Sequence, residues 1–488
     1  MQTKWLGPAV LLPVLSAVFA PAALAEAAEK IPIVYSTDLL HPHDDPDDHY
    51  DLATLFALDE FDLRGILLDL GERQTARMGR PPVEQMIKIT GREVPYRAGL
   101  DRSLRGPGDT AAGGSAESQG GIELLLSALR KCHRPAVLFT TGSCRDVAAA
   151  FNREPDLMKE KVRALYVNAG NGPQGPQWEY NVQLDEEAYF RLFDSGLPLY
   201  WCPCWSDEPG NPEAILGRKV YATYYVADQA QVVGACSPRV RNYFVYCLTR
   251  SGADPLAFLD SGEHPLPTGK RNMWCTAVFL HAAGREIYER DPQDFVALPP
   301  EQAAREGLQG RKATPYEFVP LRATRRDASA PETQAATSGG WTAVYGGRCE
   351  DHVGNRQAGP DGKRDCLVRL SGVPGGTTVR NVVLTGPKEG RWELQETGRW
   401  WRVFLEPSGD RLDCWFSFYA AGPHRMELQL DDGKTEVLKF DVPQPPATAL
   451  ESQLDAAKPN ARVFHITDEL YPEILASALK NLLAGLGQ

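Results

Sequence analysis

The sequence predicts an α/β fold, in which an open, mostly parallel sheet with helices on both faces is followed by a small antiparallel β-sandwich domain. From residue 31 to about residue 320, short β-type runs alternate with helical stretches. Such alternation needs crossover connections, which produce a parallel, buried sheet. A polar segment then interrupts the pattern, and beyond it short aromatic-rich runs are separated by Gly, Pro and Asp turns, which is typical of a small sandwich.

The α/β domain is expected to span residues 30–321. Its strand runs share a β-branched and aromatic composition; in chain order they are IPIVYS, LRGILLDL, PAVLFTT, VRALYVNA and LPLYWCP. Its helical runs carry apolar residues at helical spacing; they are DLATLFALDE, PVEQMIKITG, GIELLLSALRK, CRDVAAAFNRE and DEEAYFRLFDSG. In open parallel sheets, ligands bind outside the carboxyl ends of the strands, so the loops after these runs are the candidate site.

Three further segments follow. Residues 322–340, RATRRDASAPETQAATSGG, are polar, small and proline-bearing, which predicts a linker. Residues 341–445 carry the sandwich pattern. Residues 446–488 include an amphipathic helix, for which Thr467 or Asp468 is the expected N-cap. We expect this terminal helix to dock on a neighbouring domain.

The N-terminus predicts export. Residues 1–25 contain one early lysine, an apolar run broken by prolines and the small-residue sequence ALA at 23–25, the pattern of a signal peptide. The protein is therefore expected in the periplasm or the medium. Since no later stretch reaches about 18 apolar residues, no membrane span is expected after signal removal; a retained N-terminal anchor is the alternative.

Charge and cysteine content exclude some functions. Lys and Arg number 52 against 64 Asp and Glu, the formal net charge is −12, and no basic stripe is present, so a nucleic-acid partner is not expected. Ten cysteines in 488 residues do not make a disulfide scaffold. For the pair Cys202 and Cys204 we expect ordinary packing or a structural bridge, with a metal or redox role as the alternative.

One loop concentrates acidic residues. Residues 35–58, YSTDLLHPHDDPDDHYDLATLFAL, hold six aspartates and three histidines between a strand run and a helical run. Crowded carboxylates raise each other's pKa unless a cation or water compensates. A hard ion such as Ca²⁺ takes several oxygen ligands from flexible loops, which suits Asp38 plus a member of the group Asp44–Asp48. The alternative is a solvated helix N-terminus, where aspartate is favoured without any ion.

A set of collinear motifs resembles a known family. After the first strand, STD and an acidic pair precede an apolar helix, and TTG (140–142) and EYN (179–181) follow in order. The stretches REVPYRAGLDRSL and TTGSCRDVAAAFNREPDLMKEKVRALYV match further family segments. Over roughly residues 31–300 this pattern resembles the inosine-uridine nucleoside hydrolases. The resemblance implies their α/β fold and hydrolysis of N-glycosidic bonds in ribonucleosides or related ribosyl compounds.

The resemblance also implies a Ca²⁺ cofactor. Family members hold one Ca²⁺ through the second aspartate of the opening motif, one of the acidic pair, a threonine carbonyl and a late aspartate. In this sequence those positions match Asp38, Asp48, the carbonyl of Thr141 and Asp254.

The catalytic and ribose-binding roles follow in the same way. The water-activating aspartate of the family matches Asp47, and the ribose-binding residues match Glu179 and Asn181. Asn168 and Asn171 are both candidates for a further ribose contact, and spacing does not choose between them. The residue types suit the reaction, because an oxocarbenium-like sugar needs nearby negative charge and a water that a carboxylate deprotonates.

Some positions depart from the family pattern. Ser36 replaces the first aspartate, and an insertion brings Asp44 and Asp45 into competition with Asp47 and Asp48, although counting back from the next strand favours the latter pair. Glu72 stands where members have an asparagine, which predicts a carboxylate near the ribose.

The late His-Asp pair of the family has two candidate matches. SGADPLAF supplies Asp254 without the histidine, whereas RNMWCTAVFLHAAG (271–284) fits in length and helical pattern but has no aspartate. If the second alignment holds, the fourth metal ligand is missing. His281 on that helix is expected to be buried or capping rather than catalytic.

Two functional classes remain. One is an exported hydrolase acting on a small nucleoside or ribosyl substrate; the alternative is a catalytically impaired sugar- or metal-binding protein on the same scaffold. The sandwich adds a carbohydrate or protein partner as a further hypothesis, since Trp400 and Trp401 are consecutive and would point to opposite faces of a strand. The alternative is that the outward tryptophan packs on the neighbouring domain.

Overall fold

The computed structural model describes most of the chain. The described residues are 29–43, 45–173, 179–205, 215–326, 334–338, 341–347, 366–371, 378–386, 391–393, 403–408, 411–416, 422–442 and 449–487. Within these ranges, no helix combines the length and the apolar character needed to cross a membrane. The predicted signal peptide, Asp44, Trp400 and Trp401 lie outside the described residues, so the predictions made for them stay predictions.

The strands are as follows, in chain order. They are β1 (Ile31–Thr37), β2 (Phe61–Leu68), β3 (Tyr96–Ala98), β4 (Ala136–Thr140), β5 (Val162–Val167), β6 (Leu199–Trp201), β7 (Tyr225–Asp228), β8 (Lys270–Met273), β9 (Glu286–Asp291), β10 (Asp294–Leu298), β11 (Lys312–Ala313), β12 (Tyr316–Arg326), β13 (Gln334–Ser338), β14 (Trp341–Gly347), β15 (Cys366–Ser371), β16 (Val379–Thr385), β17 (Arg391–Glu393), β18 (Val403–Ser408), β19 (Arg411–Phe416), β20 (Gly422–Leu430), β21 (Thr435–Val442), β22 (Ala449–Leu454) and β23 (Ala461–Ile466).

The α-helices are short to medium in length. They are α1 (Asp47–Ala57), α2 (Gly71–Gln74), α3 (Arg80–Thr90), α4 (Gly120–Lys131), α5 (Arg145–Arg153), α6 (Pro155–Lys161), α7 (Tyr180–Leu184), α8 (Glu186–Phe193), α9 (Gln229–Gly234), α10 (Pro238–Leu248), α11 (Pro255–Phe258), α12 (Thr276–Ala282), α13 (Pro300–Arg305) and α14 (Tyr471–Ala484).

A nine-stranded sheet forms the centre of the α/β domain, with the order β22-β12-β23-β6-β5-β4-β1-β2-β3. Its strands from β23 to β3 are parallel to their neighbours, whereas β12 is antiparallel to both β22 and β23. Successive side chains of a strand face opposite sides. Accordingly, Ile33 and Tyr35 of β1 belong to one apolar core and Val34 to a second. The predicted fold class is confirmed.

The connections place a topological switch beside β1. The chain runs from β1 outward through β2 and β3, then returns to pair β4 with the other side of β1 and continues outward through β5 and β6. At such a point the loops after the two central strands separate and leave a crevice at their carboxyl ends. The loop after β1 contains Asp38, and the loop after β4 contains Thr141. The site is therefore expected between them.

The C-terminal part of the chain differs from the prediction. Residues 322–326 are the end of β12, not linker, and residues 334–338 form β13. The strands β22 and β23 then return to the central sheet, where β12 pairs with both of them. The predicted boundary was wrong because the outward side chains of β12 are polar, whereas its buried positions are filled by Leu321 and Ala323, both without exposed surface. Local composition does not reveal a partner more than 120 residues away.

Small antiparallel sheets lie between β12 and β22 in the sequence. One has the order β13-β14-β15-β19-β18 and the other β17-β16-β20-β21. In the second sheet, Val382, Leu384, Met426 and Leu428 are buried, so alternate positions of β20 face a core. Separate small antiparallel sheets are thus confirmed, although they are inserted between two strands of the central sheet and do not simply follow it.

The last helix docks on the α/β domain, as expected. Its buried residues recur at helical spacing: Tyr471, Ile474, Leu475, Ala478, Leu479, Leu482 and Leu483. The Tyr471 hydroxyl donates to the Thr223 carbonyl oxygen at 2.7 Å. The predicted cap is wrong, because the N-cap is Leu470 and the Asp468 carboxylate instead accepts from the Leu470 N–H at 2.9 Å. The helix is held by apolar burial rather than by a side-chain cap.

Candidate active site

A cavity of about 400 Å³ opens at the carboxyl ends of the central strands. Its walls combine carboxylates, amides, aromatic rings and thiols. The lining residues are Asp38, Leu40, Asp45, Asp47, Asp48, Thr141, Asn168, Glu179, Tyr180, Asn181, Cys204, Trp205, Trp274 and Cys275. Seven of the predicted site residues therefore line one cavity: Asp38, Asp47, Asp48, Thr141, Asn168, Glu179 and Asn181.

The acidic wall comes from the loop after β1 and the first turn of α1. Asp47 and Asp48 open α1 directly after Pro46, with no side-chain cap for the helix. The Thr37 hydroxyl at the end of β1 donates to Asp48 Oδ1 at 2.6 Å and accepts from the Leu39 N–H at 3.2 Å. This pair of hydrogen bonds fixes the Asp48 carboxylate relative to the end of β1. Counting back from the next strand favoured Asp47 and Asp48 over Asp44 and Asp45, and the position of Asp47 and Asp48 at the cavity is consistent with that choice.

The surroundings of three carboxyl groups in this wall, those of Asp38, Asp47 and Asp48, raise their pKa values. Burial, with the nearby Asp69 carboxylate, raises the pKa of Asp38 to about 8, although Arg73 opposes the shift. Burial and the surrounding carboxylates raise the pKa values of Asp47 and Asp48 well above the usual range. Among the described lining residues there is no lysine or arginine. The wall is therefore rich in carboxyl oxygens, and the cationic side chains near it, Arg73 and Arg271, are not among the described lining residues.

The opposite wall comes from the loops after β4 and β5. Asn181 Nδ2 donates to the carbonyl oxygens of Thr141 at 3.1 Å and Asn168 at 3.0 Å, which ties the two loops together. The Glu179 carboxylate caps α7 by accepting from the Asn181 N–H at 3.0 Å, and it also accepts from the Gly170 N–H at 2.8 Å. Burial raises the pKa of Glu179 to about 7 against the effect of these hydrogen bonds.

The two asparagine candidates for the ribose contact, Asn168 and Asn171, differ in their position relative to the cavity. Asn168 lines the cavity, and its side-chain amide donates to the Thr223 hydroxyl at 3.3 Å and the Cys202 carbonyl oxygen at 3.4 Å. Asn171 is buried but is not among the lining residues. Of the two candidates, the structure therefore brings only Asn168 to the cavity.

Asp254 is not brought to the cavity. Its carboxylate caps the short helix α11, accepting from the Ala257 N–H at 2.7 Å on the exposed surface. An exposed cap cannot serve as the fourth ligand of an ion held between Asp38 and Asp48. The assignment of Asp254 as a metal ligand is therefore wrong in this structure, and the sequence signal that suggested it was a helix-capping signal.

Glu72 also differs from its predicted place. It lies in α2, is not among the cavity-lining residues, and accepts from Arg145 Nη1 at 3.2 Å. Arg145 is almost completely buried and also lies 3.9 Å from Asp69 and 4.0 Å from Asp185. The prediction that Glu72 faces the ribose was wrong because the buried guanidinium, which no local pattern reveals, draws the carboxylate to itself.

Of the two late segments, the structure brings the second, residues 271–284, to the cavity. Trp274 and Cys275, between β8 and α12, line the cavity. The Cys275 thiol is buried among carboxylates, which together raise its pKa well above the usual range. His281 of α12 is half-buried, and its Nδ1 lies 2.8 Å from the Tyr166 hydroxyl oxygen. It does not line the cavity, in keeping with the expectation that it is buried or capping rather than catalytic.

Aromatic residues form the remaining wall, which the sequence reasoning did not predict. The Trp205 ring stacks on Tyr224 with centroids 5.6 Å apart and meets Trp274 edge-on at 5.7 Å. The Trp274 indole N–H donates to the Cys204 carbonyl oxygen at 3.1 Å. Cys202 and Cys204 are both free and buried, as ordinary packing predicts. The WCPCW motif could have indicated this wall, since it follows a strand at the site edge.

A buried charge network beneath the cavity yields a pH prediction. Burial, reinforced by Asp69, raises the pKa of Asp146 to about 8, against the Leu100 N–H and Arg145. The folded protein then keeps a proton that the unfolded chain releases near its ordinary pKa, so this stability is present below about pH 4 and is lost as the pH rises through about 8. We expect Asp146→Asn to flatten the fall in melting temperature between about pH 5 and pH 8.

The control for this prediction is Asp156→Asn, which changes an exposed aspartate in the first turn of α6. Thermal melts at several pH values compare both variants with the wild type. An Asp146→Asn protein whose pH dependence parallels that of the wild type would show that Asp146 titrates normally.

The open α/β sheet, with an acidic and aromatic cavity at its switch point, defines an α/β protein with one candidate site among the described residues. The model of the family "inosine-uridine preferring nucleoside hydrolase" matches residues 35–234. Pyrimidine-specific ribonucleoside hydrolase RihA from Enterobacter sp. is 25% identical over 187 residues, which cover 35% of this chain and 58% of that protein. The chain thus spans less than two thirds of the length of this curated relative. The family resemblance inferred from the sequence is confirmed over the matched segment.

Solved structures show the same kind of similarity. An inosine-uridine preferring nucleoside hydrolase from Bacillus anthracis is 13% identical, with 53% of this chain and 84% of that chain covered and a TM-score of 0.31. A plant nucleoside hydrolase is also 13% identical, with 54% and 84% covered and a TM-score of 0.34.

Proposed function

We propose that this protein is an exported, Ca²⁺-dependent hydrolase of N-glycosidic bonds in ribonucleosides or related ribosyl compounds. One observation carries the proposal. Asp38, Asp47 and Asp48 line one cavity at the topological switch of the sheet together with Glu179 and Asn181, which follow them by more than 120 residues in the sequence. The match of residues 35–234 to the nucleoside hydrolase family supports the reaction class.

The residues present fit a hard divalent cation. Asp38 and Asp48 supply carboxylate oxygens, and the Thr141 carbonyl, which accepts one hydrogen bond from Asn181, has a second lone pair available. Oxygen ligands of this kind suit Ca²⁺. The Cys275 thiol, on the late segment, is a soft ligand and does not suit that ion. When bound, Ca²⁺ would lower the pKa values of the surrounding carboxylates and hold a water and the sugar hydroxyls.

The side chains of the cavity divide the remaining work. Asp47 accepts the proton of the water that attacks the anomeric carbon. Glu179 and Asn181, each fixed by hydrogen bonds to backbone groups, accept or donate to the ribose hydroxyls. The acidic wall stabilises the positive charge that develops on the sugar. The rings of Trp205 and Trp274 provide a face against which a nucleobase can stack.

A second candidate function has one observation in its favour. Trp274 and Cys275 stand at the cavity where the aligned family segment carries a His-Asp pair, and the described lining residues include no histidine. A departing base would then lack an imidazole that protonates it. The alternative is therefore a sugar- or metal-binding protein in which the scaffold still recognises its ligand but turnover is lost.

The test is calcium removal and return. We expect chelator-treated protein to gain about 2.7 kcal/mol of stability when Ca²⁺ reaches roughly 100 times its dissociation constant, which raises the melting temperature by several degrees. The calcium-loaded protein should release free base and reducing sugar from members of a ribonucleoside panel, and the chelated protein should not. Calorimetry and chromatography of the products measure the two effects.

Two matched variants sharpen this experiment. Asp48→Asn should lose the thermal response to calcium, whereas Asp254→Asn, on its exposed cap, should keep it. Nucleoside binding without any product from the whole panel would favour the binding protein over the hydrolase. A wild-type melting temperature that ignores calcium would remove the metal from the proposal.

A further inference from the structure

The histidines of the acidic loop are not used by the cavity. His41, His43 and His49 are buried, yet none of them is among the lining residues. His49 follows Asp48 on α1, but it points away from the cavity and toward α10. Beside α10, one ring nitrogen of His41, one ring nitrogen of His49 and the Cys247 Sγ all lie within 4.8 Å of one another.

The hydrogen bonding of the two histidines is incomplete. His41 Nε2 lies 2.8 Å from the Ser251 carbonyl oxygen, and its Nδ1 has no hydrogen-bond partner among the described residues. His49 has no exposed surface. Neither of its ring nitrogens has a hydrogen-bond partner among the described residues. The nearby Pro46 carbonyl oxygen acts in the direction of a higher pKa for the His49 ring. A buried polar atom without a partner destabilises the fold, so such a cluster calls for a ligand.

We propose that His41, His49 and Cys247 bind a Zn²⁺ ion at a site separate from the acidic cavity. Two imidazole nitrogens and one thiolate form a ligand set that Zn²⁺ prefers and Ca²⁺ does not. Cys247 binds as the thiolate and its proton passes to solvent. The fourth position of a tetrahedral ion is taken by a water or by His43, whose ring centroid lies 5.6 Å from that of His49.

The surroundings of the cluster agree with this assignment. The contact of His41 Nε2 with a backbone carbonyl is the outer-shell arrangement that orients a metal-bound imidazole and leaves the other nitrogen to the ion. The Tyr246 ring stacks on His41 with centroids 4.5 Å apart, and the Tyr243 hydroxyl donates to the His49 carbonyl oxygen at 3.0 Å.

The position of the cluster indicates what the ion does. Within the acidic loop, His41 and His49 flank residues 42–48, and Cys247 lies near the end of α10. An ion bound to all three fixes both ends of the segment that carries Asp47 and Asp48. The site is therefore structural, and it positions the acidic wall without touching the cavity.

The test uses the full chain kept in saturating calcium, so that oxygen ligands are occupied throughout. Chelator-stripped protein is exposed to Zn²⁺ and passed through a desalting column. We expect about one zinc ion per chain to be retained, measured by elemental analysis. With Co²⁺ in place of Zn²⁺, a thiolate-to-cobalt charge-transfer band and strong tetrahedral bands should appear.

The variants decide whether these residues are the ligands. Cys247→Ser should lose the charge-transfer band, and His49→Leu should lose zinc retention. Cys236→Ser, a buried cysteine of the same apolar core, should retain both signals. Circular dichroism confirms that each variant is folded, and His41→Ala replaces any variant that is not. Failure of the wild type to retain zinc, or a band that survives in Cys247→Ser, would overturn the proposal.

Discussion

Asp47→Ala is expected to lower kcat for nucleoside hydrolysis by about 10²–10⁴-fold, the range for loss of a general base, without lowering the stability of the fold. Asp47 makes no capping hydrogen bond in α1. Burial and the carboxylates of Asp45, Asp48, Asp51 and Asp38 raise its pKa well above the usual range. Removing one carboxylate from this cluster relieves repulsion, so the metal-free variant should melt at the same temperature as the wild type or higher. Steady-state kinetics and thermal melts measure the two effects.

The matched control for this prediction is Asp45→Ala. Asp45 belongs to the same loop and also lines the cavity, but its carboxylate is exposed and lies 3.3 Å from Arg271 Nη1. Its loss should change kcat less than about tenfold, because an exposed ion pair contributes little. Comparable losses in both variants would indicate that the loop as a whole, and not the Asp47 carboxylate, supports the reaction.

A loss of activity combined with unchanged or greater stability distinguishes a functional carboxylate from a structural one. If Asp47 served only the helix N-terminus, its removal would lower the melting temperature and leave kcat nearly intact. The two readings of the acidic loop, a metal and catalytic centre or a solvated helix start, therefore predict opposite pairs of results.

The elements of the first 200 residues could be predicted because their signals are local. The strand β1 consists of the predicted run IPIVYS plus one further residue, Thr37. The predicted run PAVLFTT contains the whole of β4. The loops that follow β1 and β4 then had to meet, because the strands pair as neighbours. The family resemblance assigned Asp38 and Thr141 to one site, and the pairing of β1 with β4 places the loops that carry them side by side.

The errors arose where a partner is distant. The Glu72 carboxylate accepts a hydrogen bond from the buried Arg145, and Asp254 caps a surface helix. A motif match compares residue types along the chain and therefore predicts neither contact. Trp274 and Cys275 were missed because the family pattern directs attention to a His-Asp pair, and neither replacement residue suggests the same chemistry. The position could be inferred only from the helical pattern that follows it.

Truncation after residue 340 is expected to abolish folding of the α/β domain, whereas excision of residues 327–448 should preserve it. The truncation removes β22, β23 and α14, although the sequence alone suggested that everything beyond the linker is separable. The excision removes only the inserted small sheets. Far-UV circular dichroism, gel filtration and thermal melts of the two shortened proteins distinguish these outcomes.

The expected size of the truncation effect follows from buried apolar surface. Six large aliphatic or aromatic residues of α14 are buried in the core shared with β1 and α1, namely Tyr471, Ile474, Leu475, Leu479, Leu482 and Leu483. At about 1.5–3 kcal/mol for each large side chain, their loss exceeds the whole stability of many domains, which is about 5–15 kcal/mol. Loss of β23 would also leave β6 and β12 without the strand that joins them.

The excision is tolerated for a geometric reason. Arg326 and Ala449 are partners in the antiparallel ladder between β12 and β22, so the chain leaves the central sheet and re-enters it at adjacent positions. A two-residue Asn-Gly turn can join such strands. The excised protein should therefore melt cooperatively and keep its response to calcium. A truncated protein that folds, or an excised one that does not, would show that the pairing of β12 with β22 and β23 does not hold the domain together.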